Sequence, residues 1–377
     1  MIQTRKASAF VIGLALFSMF FGGGNLIFPL YVGKLAQDQW ISTAIGFLLT
    51  GVIMPFLGVI AMVLFEGDYN KFFSCMGKVL GFLVPLVLLT VWIPLGSAPR
   101  CISLSYASIA AYVNLPPVWV FGLIYCFFLF FMVRHPDRML NILGYVLTPL
   151  LLGCLFMITF KGLGTSPSGE SFFNQSETFY RGAIEGYNTM DLIASFFFSA
   201  SIIQILKKTT TNRSQALKLV MKSGIIGVTL LGIVYMCLVY LASAQRDFIQ
   251  NIPKEQLLAH IAKTILGVKL GAIAALAIVL ACFTTSTALV VVYADFIAKN
   301  IIRNPERKTE ATIITLVITF VMSIFGLDGI TTLTAPILQI FYPMLVILII
   351  FNIGRALIAT RKTATLTLPA CPDSGTE

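Results

Sequence analysis

Apolar residues arrive in runs of about 20 along nearly the whole chain, and a helix of that length crosses roughly 30 Å of hydrocarbon. Ten such spans are legible, at about 7–32, 42–65, 79–112, 117–134, 139–161, 187–206, 223–244, 268–297, 311–327 and 331–354. The third and eighth exceed the bilayer thickness and must tilt or project from it. The longest connections are 162–186, with Gly, Ser and Pro clustered at 164–171, and 245–267, where Pro253-Lys254-Glu255 ahead of apolar residues predicts a short interfacial helix. Nothing outside the spans is large enough for a second domain. The pattern predicts an all-α polytopic membrane protein with one transmembrane domain over 1–362 and a polar tail over 363–377 of disordered composition.

Ten spans divide into five plus five, with halves at about 7–161 and 182–358. An odd-numbered unit that is repeated must enter the membrane the second time in the opposite orientation, the inverted arrangement of many secondary transporters.

Composition sharpens this picture. Hydrophobic residues make up 58% of the chain and charged ones 11%, so too few charges exist to cover a water-soluble globule of 377 residues. The net charge of +10 would suggest nucleic acid in a soluble protein, but its placement argues otherwise. Of the 26 Lys and Arg, 18 fall on one side of the ten spans and 7 on the other, with Arg100 inside a span. The positive-inside rule then puts both termini in the cytoplasm, as an even number of spans requires. The first apolar segment runs on to Phe28-Pro29 without a small-residue cleavage site, so it reads as a span rather than a removed signal. Seven scattered cysteines without paired spacing read as small hydrophobes, and His135 and His260 sit by opposite aqueous loops, so no transition-metal site or cofactor is expected.

Candidate chemistry gathers where polar residues interrupt the spans. The first is broken by Gly22-Gly23-Gly24-Asn25, and each glycine costs a helix about 1 kcal/mol against alanine. Such a stretch suits unwound backbone that turns N–H and C=O groups toward a ligand, with the following half-helix favouring an anionic group; close helix packing is the alternative. In the sixth span Asn188, Asp191, Ser195 and Ser199 fall on one helical face, and an acid at that depth faces the interior or a water-filled cavity by default. The adjoining Phe196-Phe197-Phe198 either closes over an apolar ligand or packs against lipid and neighbouring helices, while Glu185 lies nearer the outer surface.

The eighth span carries four consecutive hydroxyls, Thr284-Thr285-Ser286-Thr287. Each can bond back to its own helix, or two of them can join carbonyls freed by the first break in a neutral oxygen cage suited to Na⁺ rather than Ca²⁺. In the third span Ser97, Cys101, Ser105 and Ser108 share a face beside Arg100, which either pairs with Asp191 or Glu185 or snorkels to the surface.

Together, the run from Phe17 through Gly22-Gly23-Gly24-Asn25 to Pro29, Glu185-Gly186-Tyr187-Asn188-Thr189-Met190-Asp191, and Ala281 to Ala288 resemble the bacterial branched-chain amino acid carriers. These are cation-coupled symporters of leucine, isoleucine and valine within the amino acid–polyamine–organocation superfamily. The resemblance covers all ten spans in order. The family usually has alanine where Gly23 stands and commonly has two further C-terminal spans.

The pattern is also similar to the inverted-repeat sodium symporters with broken first and sixth helices. The resemblance implies a bacterial cytoplasmic (inner) membrane location and a substrate carboxylate at the backbone of Gly22, Gly23 and Gly24, with Asn25 beside it. It further implies substrate contact and the second break around Phe198 and Ser199, where no glycine marks one. For Na⁺ it implies the carbonyls of Ser18, Phe21 and Ala281 with the hydroxyls of Thr284 and Thr285. Arg100, Glu185 and Asp191 are then candidates for gating or coupling. The expected partners are a small amino acid, Na⁺ and the bilayer, not nucleic acid. The expected function is Na⁺-driven import of branched-chain amino acids by alternating access, without a covalent step.

Three rivals stand beside it. A proton-coupled transporter of the same fold would use Asp191 or Glu185 as carrier. A channel would line a polar pore with Thr284 to Thr287. A membrane-embedded enzyme would need a compact nucleophile–base or metal set, which the spans do not contain.

Overall fold

The computed structural model describes residues 9–134, 148–164, 167, 173–209 and 213–365, and no strand occurs among them. Span 1 is built as two helices, α1 (Ala9–Phe20) and α2 (Gly23–Ala36), separated at Phe21-Gly22. Span 2 comprises α3 (Trp40–Leu48) and α4 (Met54–Leu64), joined through one π-turn, Leu49–Ile53. After the short α5 (Tyr69–Phe73), span 3 runs as α6 (Gly77–Trp92), a second π-turn over Ile93–Ser97, and α7 (Ala98–Ala110). Span 4 is α8 (Val118–Val133), and the described part of span 5 is α9 (Thr148–Gly162). The start of span 5, with His135, lies outside the described residues.

Span 6 departs from expectation. It begins well before 187, as α10 (Gln175–Asn188), and resumes as α11 (Asp191–Thr209). Glu177, Arg181 and Glu185 give α10 a polar composition, so it reads in sequence as part of an external connection. It is held as a helix by Asn174, whose side chain accepts the Glu177 N–H at 2.9 Å, and by close packing on α3. A Cβ on Gly182 or Gly46 would run into the facing backbone at Thr43 or Phe179, and Thr50 Oγ1 donates to the Ala183 carbonyl at 2.8 Å.

Span 7 is α12 (Arg213–Ala244). Span 8 is α13 (Leu257–Asn300), which turns sharply at Gly267, where φ is +79°. Its first part, from Leu257 to Leu266, is the helix expected after Pro253, but Leu257, Leu258, Ile261 and Ala262 are buried rather than lying on an interface. Spans 9 and 10 are α14 (Lys308–Ile324) and α15 (Gly326–Thr365). Residues 366–377 of the expected tail lie outside the described part. Five stretches, including Ser214–Ala244, Lys254–Asn300 and Gly326–Arg355, are long and apolar enough to cross a membrane, in keeping with a multi-pass chain.

Helix packing carries the signature of the inverted repeat. Exchanging each span for the one five places along turns the contact of span 1 with span 7 (α1 and α2 on α12) into that of span 6 with span 2 (α10 on α3, α11 on α4). Both contacts are present and extensive. The exchange also carries span 5 on span 8 (α9 on α13) into span 10 on span 3 (α15 on α7), again present, and maps α7 on α13 and α8 on α14 onto themselves. Three apolar clusters fill the described structure, a small one around Ile102, Tyr125, Leu129 and Val290 and two large ones. One collects Leu16, Phe20, Trp92, Phe196 and Phe198, the other Phe17, Leu26, Phe28, Phe47 and Tyr235.

Candidate functional site

The three glycines at the first break each face a different neighbour. Gly22 is extended (φ −108°, ψ −167°), and a Cβ on it would lie 3.3 Å from the Thr285 methyl of α13. A Cβ on Gly23 would sit 3.3 Å from the Cys101 backbone of α7, and one on Gly24 would stand 3.5 Å from the Thr189 carbonyl at the second break. Asn25 closes the turn: its Oδ1 accepts the Gly22 N–H at 3.0 Å, while its own N–H donates to the Gly22 carbonyl at 3.2 Å. Close packing therefore applies to all three glycines, while the unwound backbone is confined to Phe21-Gly22, with Gly23 and Gly24 opening α2.

The second break lies at Thr189-Met190, not beside Phe198 and Ser199. Met190 takes a left-handed conformation, φ +64°, which costs a non-glycine residue about 1–3 kcal/mol. Neighbouring bonds fix it there. The Met190 N–H donates to the Tyr187 carbonyl at 3.1 Å, and the Thr189 hydroxyl donates to the Gly186 carbonyl at 2.7 Å. The Leu192 N–H, an orphan of the first turn of α11, is taken up by the Tyr342 hydroxyl of α15 at 2.9 Å. The polar stripe is thus split, with Asn188 ending α10 and Asp191, Ser195 and Ser199 on α11, all buried. Phe198 and Ser199 sit inside the continuous part of α11. Phe198 packs on Trp92 with ring centres 5.1 Å apart, and the run from Phe196 to Phe198 is interior packing.

Asp191 and Asn25 tie the two breaks together. Asn25 Nδ2 donates to Asp191 Oδ1 at 2.7 Å and also to the Tyr235 hydroxyl of α12, which in turn donates to Asp191 Oδ2. Tyr235 carries no mark in the sequence: it is one of two tyrosines, with Tyr240, in the apolar run 223–244.

Arg100 neither snorkels nor joins an ion pair with Asp191 or Glu185 among the described residues. It is fully buried, donating from Nη1 to the Asn188 carbonyl at 2.5 Å and from Nη2 to Thr334 Oγ1 at 3.0 Å, with Phe28 beneath it at 5.0 Å. A cation at the last carbonyls of α10 is favoured by the helix dipole. Glu185 is half-buried and accepts a bond from Asn188 Nδ2 at 3.0 Å.

Among the residues of the expected cation cage, Thr285 Oγ1 lies 3.5 Å from the Phe21 carbonyl, its hydroxyl directed across the break. Thr284 bonds back to its own helix, donating to the Ala281 and Leu280 carbonyls, both at 2.9 Å. Ser18 belongs to the last turn of α1, where the helix stops before a following turn can take up its carbonyl, and its own hydroxyl is buried without a partner among the described residues. These are neutral oxygen donors, a set that suits a monovalent cation. Among the described residues no group of three His, Cys, Asp or Glu is placed to hold a metal ion, and the six described cysteines are unbridged.

Comparisons with known proteins agree with this architecture. The chain is 29% identical to the branched-chain amino acid permease BraB of Bacillus subtilis, covering 91% of this chain and 79% of that one. It is 27% identical to the branched-chain amino acid transport system 2 carrier protein of Pseudomonas aeruginosa, covering 94% and 82%. Its fold is similar to that of MhsT, solved in complex with L-phenylalanine (TM-score 0.60, 13% identity, 92% of this chain and 89% of that one). It is likewise similar to Mhp1, a nucleobase-cation-symport-1 family transporter (TM-score 0.57, 15% identity, 92% and 78%). Residues 5–370 match the family described as branched-chain amino acid transport proteins, so this chain is a member of that family of transporters and not an enzyme.

Proposed function

We propose that the chain imports leucine, isoleucine and valine across a bacterial cytoplasmic membrane by Na⁺ symport, alternating access around a site near the midplane. The observation that carries this reading is the meeting of the two helix breaks, bridged by Asn25 and Asp191. The first-turn amides of α2 at Gly23 and Gly24, beside the extended Gly22, supply donors for a carboxylate, and the apolar cluster with Phe17 and Phe28 offers surroundings for a branched side chain. Burying that side chain is worth about 1.5–3 kcal/mol, which separates leucine from glycine or alanine. Na⁺ is held between the end of α1 and α13, by the carbonyls of Ser18, Phe21 and Ala281 and the hydroxyls of Thr284 and Thr285. One Na⁺ entering down 100 mV supplies about 2.3 kcal/mol, enough to sustain a roughly 40–50-fold gradient of zwitterionic substrate. Both termini face the cytoplasm in this reading, and no cofactor is required beyond the coupling ion.

The substrate assignment is tested by exchange in proteoliposomes loaded with unlabelled leucine. Labelled leucine should enter and be displaced by isoleucine and valine, not by glutamate or lysine. Exchange that ignores the branched-chain amino acids overturns it.

A second reading, proton coupling, is favoured by one observation. Asp191 is a buried acid bonded only to neutral groups, a setting in which a carboxyl can carry a proton. Uptake driven by a proton gradient in the absence of Na⁺ would establish it.

A further inference from the structure

Two opposite charges are buried at the breaks without pairing with each other. Arg100 is 0% exposed and Asp191 1%. Removing a charge from water costs several kcal/mol unless it meets an opposite charge or a full set of hydrogen bonds. Arg100 meets a carbonyl and a hydroxyl, and its Nε is buried with no partner among the described residues. Glu185 attracts it only from beyond ion-pair range. Asp191 meets an amide and a phenol. A guanidinium has five N–H donors and a carboxylate about four acceptor sites, so each group retains unused capacity.

The two charges stand on opposite sides of one break. The guanidinium rests on the Asn188 carbonyl, the last residue of α10, whereas Asp191 opens α11. Asn188, on which the guanidinium rests, and Asp191 are three positions apart, at most about 11 Å of backbone. A free amino acid with one hydrogen bond at each charged end spans roughly 8–9 Å. The first break adjoins both groups. Gly23 packs on the Arg100-Cys101 backbone, and Asn25 holds Asp191.

We propose that Arg100 receives the carboxylate and Asp191 the ammonium group of a zwitterionic substrate, so that the site reads both charges of a free α-amino acid with side chains as well as backbone. This rests on the amino-acid transport reading above and adds to it a selection against amines and carboxylic acids that carry only one of the two charges. Opening of the breaks exposes the pair, and the substrate then completes it.

The test uses the full chain purified in detergent and follows ligand-dependent thermal stabilisation with leucine, leucinol (no carboxylate) and 4-methylpentanoate (no ammonium). The unsubstituted protein should prefer leucine over each analogue by about 10–100-fold, the value of a hydrogen bond to a charged group. Arg100→Gln should reduce the preference over leucinol to within about threefold and keep the preference over 4-methylpentanoate. Asp191→Asn should do the reverse. If either variant fails to fold, Arg100→Lys and Asp191→Glu keep the charge and displace it. Each should then weaken leucine by about tenfold or more and leave the analogue lacking its partner group within about threefold. Both preferences surviving in both variants, or equal weakening of all ligands, overturns the assignment of the pair. An unsubstituted protein stabilised by none of the three overturns the amino-acid reading, and the pair with it.

Discussion

Asn25 on the second half of span 1 donates to Asp191 on the second half of span 6 at 2.7 Å, so the two broken helices are joined at their breaks by a side-chain hydrogen bond. Asn25 also holds the Gly22 N–H, and both residues share the Tyr235 hydroxyl. One residue therefore shapes its own break and anchors the other.

Asn25→Ala should leave a buried carboxylate oxygen and the Gly22 N–H short of partners, lowering stability by about 1–3 kcal/mol and abolishing uptake. Tyr235→Phe removes one bond of the same network. The two substitutions together should be non-additive by about 0.5–3 kcal/mol in thermal melts, and additivity would show that the three groups do not act as a unit.

At Gly23 the available space predicts a size series. Alanine places its Cβ 3.3 Å from the Cys101 backbone, which α7 can absorb by a few tenths of an ångström. Gly23→Ala should retain uptake, and Gly23→Val should lose it while overpacking costs about 1–3 kcal/mol. Equal activity in both would mean that α2 and α7 do not need this contact.

The crossing of α3 and α10 depends on Gly46 and Gly182. Gly182→Val should give protein that aggregates on size-exclusion chromatography, because the side chain would have to occupy the Thr43 backbone. A monodisperse, leucine-responsive variant would contradict this packing.

The two threonines of the cation cage should behave differently. Thr285→Ala removes the hydroxyl directed at the Phe21 carbonyl and should raise the Na⁺ concentration for half-maximal uptake by about tenfold or more, with Thr285→Ser restoring it. Thr284 already bonds within its own helix, so Thr284→Ala should have a smaller effect on Na⁺. Identical effects would mean that neither hydroxyl is specific to the cation.

Hydropathy made the ten spans legible because a bilayer demands long apolar helices, and Gly22-Gly23-Gly24 marked the first break because three glycines destabilise a helix interior. The second break left no such mark. It rests on Met190 in a left-handed conformation, bracketed by the local bonds to Tyr187 and Gly186 and by the long-range bond from Leu192 to Tyr342, an arrangement that no glycine or proline announces. The polar α10 was hidden among loop residues for a related reason: its face of Thr178, Gly182 and Gly186 is buried, packed on α3, while Tyr180 is exposed and Glu177 and Arg181 are partly so, and its composition does not announce a span. Its Gly182 and Gly186, four residues apart, were the available sign of a close helix crossing. Arg100 was visible as a charge inside a span, but its partners, a backbone carbonyl and Thr334, could be found only from the fold.

The most direct test of the account is uptake of labelled leucine into proteoliposomes under an imposed inward Na⁺ gradient, with a proton gradient as the comparison. Accumulation should require Na⁺, exceed the external concentration, and collapse when the Na⁺ gradient is dissipated. Accumulation that follows the proton gradient and is indifferent to Na⁺ would contradict the cation cage and make Asp191 the coupling group.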